Sequence, residues 1–154
     1  MSEVLRSVNR DLCADTRSSD FATLFYGVLD GRARKFTYAN AGHIPPLMIR
    51  DSLVTQLDVG GAVLGIDSSL KWAQQAVDLE KGDVILAHTD GLNEAMNFED
   101  EPFGMERVQA AAIQAVERGD DAESVAKFVL WEMRRFAGLQ TRLDDLTVVV
   151  VKVL

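Results

Sequence analysis

Hydrophobic positions change their spacing several times along the 154 residues, and each change predicts an element. In residues 2–14, Val4, Leu5, Val8 and Leu12 fall at i, i+1, i+4 and i+8. That is one face of a 3.6-residue period, and it predicts an amphipathic helix ending before Arg17-Ser-Ser-Asp20. Phe21 to Leu29 is rich in aromatic and branched residues and reads as a strand. Asp30-Gly31 then predicts a hairpin turn, because both residues tolerate positive φ. The chain returns over Lys35 to Ala39, with Phe36 and Tyr38 on one face and Thr37 and Ala39 on the other. Pro45 and Pro46 stop ladder pairing. Leu47–Ile49 with Leu53–Leu57 predict a second hairpin. Trp72–Leu79 with Val84–His88 predict a third, joined by Glu80-Lys-Gly-Asp83.

After Asp90-Gly91 the spacing turns helical. One helix is predicted over Phe103–Val116, closing near Gly119. A second, over about 121–137, carries Val125, Phe128, Val129, Met133 and Phe136. Asp120-Asp-Ala-Glu123 suits a capping box with Asp120 as the cap, and Gly138 suits the stop. Leu146 to Leu154 reads as the last strand. A helix, antiparallel strands, two helices and a strand make an α+β chain with helices packed on sheet faces. No repeat or linker divides it, so a single domain over 1–154 is expected.

Composition narrows the function classes. At 47% hydrophobic and 26% charged residues the chain is globular, not disordered. Its longest apolar run, Val148–Val151, is far short of the roughly 20 residues of a membrane span. The opening Met1-Ser-Glu-Val-Leu-Arg lacks the apolar core of a signal peptide, so a cytoplasmic setting without membrane insertion is expected. A net charge of −8 argues against a nucleic-acid surface. The single cysteine, Cys13, has Ser19 where a cysteine phosphatase needs its phosphate-loop arginine, and reads as a small apolar filler.

Three segments carry candidate chemistry. In His88-Thr-Asp90-Gly-Leu-Asn-Glu94, Asp90 sits where the apolar run Val84–Ala87 ends and Gly91 lets the chain turn. A carboxylate there suits a metal ligand, and equally an Asx turn. His88 reads as a partnered sheet residue. In Leu143-Asp144-Asp145-Leu-Thr147, two adjacent acids enter an apolar strand. Such neighbours raise each other's pKa unless a cation or donors stabilise them; the alternative is that they face solvent or cap a turn. If the two helices between Asp90 and Asp144 cover one sheet face, the flanking strands become antiparallel neighbours. Both aspartates then share one rim, where oxygen ligands suit Mg²⁺ or Mn²⁺. In Asn40-Ala-Gly-His43-Ile-Pro-Pro46, His43 is held in a rigid loop as a metal ligand, proton donor or phosphate contact. Asn40 can orient the loop or contact a phosphoryl oxygen; the alternative is a loop-stabilising pair.

In order along the chain come Asn40-Ala-Gly-His-Ile-Pro-Pro46, Leu64-Gly65-Ile66, Lys81-Gly-Asp83, Thr89-Asp90-Gly-Leu-Asn-Glu94-Ala, Phe103-Gly104 and Asp144-Asp-Leu-Thr147. From about residue 5 to residue 152 this series resembles the stage II sporulation protein E-like branch of the PPM (protein phosphatase 2C-like) phosphatases. The resemblance implies an antiparallel β-sandwich flanked by helices. It implies hydrolysis of phosphoserine and phosphothreonine on proteins with two Mn²⁺ or Mg²⁺ ions, whose charge lowers the pKa of an attacking water. Asp90 and Asp144 match two family aspartates that hold the second metal. His43 falls where other branches carry the aspartate of Asn-x-Gly-Asp-Ser-Arg, and with Asn40 it makes the candidate catalytic pair.

The family's N-terminal Gly-Asp-x-x-Asp and Asp-Val-Ser-Gly-His-Gly segments do not occur, so the chain is expected to be a partial domain, truncated at its N-terminus, with little activity alone. Uncovered sheet edges then predict a homodimer. The resemblance also implies a phosphoprotein substrate of the anti-sigma-factor-antagonist type. The alternative is a catalytically incomplete phosphatase-like module that binds a regulatory protein.

Overall fold

Local sequence sets twelve elements in the computed structural model, which describes residues 1–17, 19–138 and 145–154. In chain order they are α1 (Ser2–Asp15), β1 (Leu24–Asp30), β2 (Lys35–Ala41), β3 (Leu47–Arg50), β4 (Leu53–Gln56), β5 (Gly60–Gly61), β6 (Gln75–Asp78), β7 (Val84–His88), α2 (Asp90–Asn93), α3 (Gly104–Glu117), α4 (Ala122–Ala137) and β8 (Val148–Lys152). They fall into two units, Met1–Pro45 with Leu57–Glu80, and Pro46–Gln56 with Lys81–Leu154.

The first unit is built on β2. Antiparallel β1 pairs along its whole length, from Leu24↔Ala41 to Asp30↔Lys35. Its other edge takes antiparallel β6 over Lys35–Tyr38, then a short parallel pairing of Asn40 with Gly60 on β5. A Cβ on Gly60 would lie 1.7 Å from the Asn40 carbonyl oxygen, so only glycine allows that approach. Leu5 and Leu12 of α1 pack with Ala39, Ala41, Leu64 and Trp72 into one core. The predicted helix face is rotated from the observed one. Val4 and Val8 are exposed, while Leu5 and Asn9 are fully buried. The β1–β2 turn also differs from a two-residue Asp-Gly turn. It has four residues, the Asp30 carboxylate accepts from the Arg32 and Ala33 amides at 2.9 Å, and the positive φ falls on Arg34.

The second unit holds an antiparallel sheet of order β4-β3-β7-β8. Leu47, Ile49, Val84 and Leu86 meet Val108, Ala111, Ala112 and Ala115 of α3 and Val125, Val129 and Met133 of α4. Alanines on α3 let that helix lie close to its neighbours.

The predicted hairpin of Trp72–Leu79 with Val84–His88 does not form. β6 pairs with β2, and β7 with β3 and β8, in separate sheets. Two features decide the pairing. β6 is matched to β2 by Val77 opposite Phe36, a Tyr38–Gln75 hydrogen bond of 2.6 Å and a Lys35–Asp78 ion pair of 2.6 Å. The apolar Val84-Ile-Leu run needs flanking strands on both edges to be buried, and β3 and β8 supply them.

The α4 cap is Asp121, one residue beyond the predicted Asp120: its carboxylate accepts from the Ser124 amide at 2.8 Å, while Asp120 pairs with Arg118. The Ser124 amide bond holds the Asp121 carboxyl below its ordinary value. An acid depressed in the fold stabilises it above the unfolded value of 3.8, and that contribution is lost as pH falls below it. Asp121→Ala is therefore expected to lower Tm at pH 7 and to leave Tm less sensitive to pH below about 4. Thermal melts at pH 7 and pH 3 check this, and an equal Tm loss at both would defeat it.

Candidate active site

At the rim of the second sheet, β7 ends at His88 and the chain enters α2 at Asp90. Buried Gly91 and Leu92 anchor this short helix. Asp90 itself is exposed, and one of its oxygens accepts the Gly91 amide at 3.0 Å. His88 is buried and pairs through Nδ1 with the Thr89 carbonyl at 2.9 Å, as a sheet residue does.

Thr89, which sequence reasoning missed, ties the two strand ends together. Its hydroxyl donates to the Asp145 carbonyl and accepts from the Thr147 amide, both at 2.9 Å, and its amide donates to the Thr147 carbonyl. The expected neighbourhood of the two strands is therefore present, with His88 opposite Val148. Asp145 is exposed, and Asp144 lies outside the described residues. The only signal for Thr89 in the sequence was a hydroxyl residue between an apolar run and an Asp-Gly step.

In the first unit, Asn40 and His43 are brought together. The buried Asn40 amide donates to the His43 carbonyl at 2.9 Å and accepts from the His43 amide at 2.8 Å, so it orients the loop. Gly42 between them has φ +70°, and a Cβ there would lie 2.4 Å from Val63 Cγ1. The half-buried His43 ring has its Nδ1 3.2 Å from the Thr23 hydroxyl.

Among the described residues, no group of three or more His, Cys, Asp or Glu is placed to hold a metal ion. The oxygens present at the second unit's rim are of the right kind. Asp90 offers a carboxylate, and Asn93 a buried Oδ1 without a hydrogen-bond partner among the described residues. Such hard donors suit Mg²⁺ or Mn²⁺, and waters complete the shell of a cation that takes few protein ligands.

The family model of stage II sporulation protein E (SpoIIE) matches residues 1–154. The chain belongs to the SpoIIE family. Phosphoserine phosphatase RsbU of Bacillus subtilis (strain 168) is 29% identical over 153 residues, which are 98% of this chain and 44% of RsbU. This SpoIIE-family chain thus spans less than half the length of that curated relative. The structure of the RsbU and RsbW domains of Rv1364c from Mycobacterium tuberculosis superposes with a TM-score of 0.80 at 25% identity, over 99% of this chain and 42% of that one. The SiaA-PP2C domain of Pseudomonas aeruginosa gives 0.81 at 20%, over 98% and 60%. The mixed helix-and-sheet architecture is therefore the PP2C fold. Metal occurs in this fold: RsbX is known in complex with magnesium (TM-score 0.65, 18% identity, 96% of this chain and 62% of that one). The catalytic domain of the serine threonine protein phosphatase PstP is known in complex with 2 manganese ions (TM-score 0.69, 16% identity, 98% and 69%). Among the described residues no helix is long and apolar enough to cross a membrane.

Proposed function

We propose that this chain is part of the catalytic domain of a Mn²⁺- or Mg²⁺-dependent protein phosphatase. It hydrolyses phosphoserine or phosphothreonine on a regulatory protein of bacterial signalling, in the cytoplasm. The observation that carries the reading is the family match over all of 1–154, joined to the PP2C fold. RsbU is named a phosphoserine phosphatase, and Rv1364c carries RsbU and RsbW domains together. Both support a substrate of the partner-switching type, such as an anti-sigma-factor antagonist.

In this reading Asp90 and Asp144 hold the cation. The Thr89 clasp, which fixes the backbone of Asp145 and Thr147 beside the residue before Asp90, supports treating the two as a pair. A divalent ion held there supplies positive charge that lowers the pKa of water and neutralises phosphoryl oxygens. Asn40 fixes the loop that presents His43. Asp90 and Asp144 alone give a weak site, so the 154-residue chain by itself is expected to hydrolyse little.

Calorimetric titration with Mn²⁺ tests the ligands on this chain directly. Binding is expected in the wild type and a loss of at least about tenfold in affinity in Asp90→Asn and in Asp144→Asn. Unchanged affinity in both variants would defeat the assignment. It would favour a phosphatase-like module that binds a regulatory protein without catalysis. Hydrolysis of p-nitrophenyl phosphate with Mn²⁺ is the companion assay. Activity that persists in EDTA, or is unchanged by Asp90→Asn, would overturn the metal-dependent reading.

A further inference from the structure

Three roles are open to His43: cation ligand, proton donor and contact to a phosphoryl oxygen. They make different demands on the ring. A cation needs a nitrogen lone pair, whereas a donor needs an N–H pointing into the site.

The Thr23 side chain bears on this choice. Its backbone is held from both sides. Ala22 pairs with Leu64 through two hydrogen bonds of 2.8 and 2.9 Å, and Leu24 pairs with Ala41 in the β1–β2 ladder. The same ladder leads through Ala41 and Gly42 to His43. Thr23 and His43 thus extend one pair of strands, and Thr23 Oγ1 lies 3.2 Å from His43 Nδ1. The Asn40 amide is engaged by the His43 backbone and leaves the ring to Thr23.

We propose that Thr23 is a positioning residue whose hydroxyl donates to Nδ1 and holds His43 as the neutral tautomer with its hydrogen on Nε2. A hydroxyl can donate or accept. Donation wins because Nε2–H is the form neutral imidazole intrinsically favours, so accepting from Nδ1–H would work against the ring. His88 is the contrast: its Nδ1 faces the Thr89 carbonyl, which only accepts, so that ring carries its hydrogen on Nδ1. With Nδ1 engaged and Nε2 protonated, His43 has no lone pair for a cation. It offers one N–H donor to an anionic oxygen. This rests on the phosphatase reading only in taking that oxygen to belong to a phosphoryl group.

The chain has two histidines, so long-range ¹H–¹⁵N correlation spectra of the labelled chain resolve both. At a pH of about 8, above the usual imidazole range, His43 is expected to show the Nε2–H pattern and His88 the Nδ1–H pattern. Thr23→Ser should keep the His43 pattern. Thr23→Val, of the same shape without the hydroxyl, should draw the two His43 nitrogen shifts toward each other as the tautomers interconvert, with His88 unchanged as a check on the fold. A wild-type His43 with its hydrogen on Nδ1 overturns the proposal. So does a Thr23→Val spectrum in which the His43 shifts do not move. Neither result depends on hydrolysis, so a chain that fails as a phosphatase still gives a clear answer on Thr23.

Discussion

Arg50→Met is expected to destabilise the protein by about 3–5 kcal/mol, and by more than Asp83→Asn does. Arg50 closes β3 and Asp83 precedes β7. The guanidinium grips the carboxylate with two bonds, Nε to Oδ1 at 2.8 Å and Nη2 to Oδ2 at 2.6 Å. The two ends differ in exposure. The Asp83 side chain is 1% exposed and that of Arg50 is 31%. Removing the arginine takes a cation and its two bonds from a buried carboxylate. Removing the charge of Asp83 leaves a partly exposed guanidinium within reach of solvent, and weakening the charge-assisted bonds costs about 1.5–3 kcal/mol. The pair Arg50→Met with Asp83→Leu should recover most of the loss, since an apolar pair of similar volume often replaces a buried ion pair without net cost. Urea denaturation of Arg50→Met, Asp83→Leu and their double forms a cycle, with Asp83→Asn set beside Arg50→Met for the asymmetry. Equal costs for Arg50→Met and Asp83→Asn, or additivity in the cycle within about 0.5 kcal/mol, would show that burial does not set the asymmetry.

What could be read from sequence, and what could not, divides by the range of the interaction. α3 and α4 were legible because an amphipathic helix writes its period into consecutive residues. β7 was legible as an apolar run and its pairing with β8 was expected from the two helices between them, yet its pairing with β3 was not, because that is decided by residues such as Leu47 and Ile49 far away in sequence. The capping box pointed to Asp120 because Glu123 stands three residues on. The backbone enters the helix one step later, at Asp121.

The candidate site divides in the same way. Asp90 stood out because an apolar strand ends in Asp-Gly. Asn40 and His43 stood out because glycine and two prolines frame them. Thr89 and Thr23 did not, since their meaning comes from bonds to Asp145, Thr147 and His43 across the fold. The sandwich and the two metals were implied by resemblance; the shared rim of Asp90 and Asp144 was expected from the two helices between them, while each segment alone left its aspartate with an ordinary alternative.

Asn9 makes the strongest test of that long-range bookkeeping, because an amphipathic reading of α1 counts it as an interruption. It is fully buried, accepts the Gly65 amide at 2.8 Å and donates to the Asp67 carbonyl at 2.9 Å. Gly65 has φ +97°, a conformation the loop holds while its amide is tied to α1. Asn9→Ala strips a partner from the buried Gly65 amide, costing about 1–3 kcal/mol when left unmatched, and also loses the part-buried bond to the Asp67 carbonyl. A loss of about 2–5 kcal/mol is expected by chemical denaturation, with faster hydrogen exchange at the Gly65 amide. Val8→Ala, one residue away but on the exposed side, should cost no more than about 0.5 kcal/mol.

Asn9→Asp separates hydrogen bonding from volume. At neutral pH it sets a buried carboxylate against the Asp67 carbonyl and loses the donor. Protonation restores a donor, so the folded state raises the new acid's pKa. That variant's deficit should therefore grow as pH rises through the unfolded carboxyl value of about 4. A deficit that stays flat with pH, or a Val8→Ala cost equal to that of Asn9→Ala, would mean that α1 is held by its apolar contacts alone and that the Asn9 bonds contribute nothing.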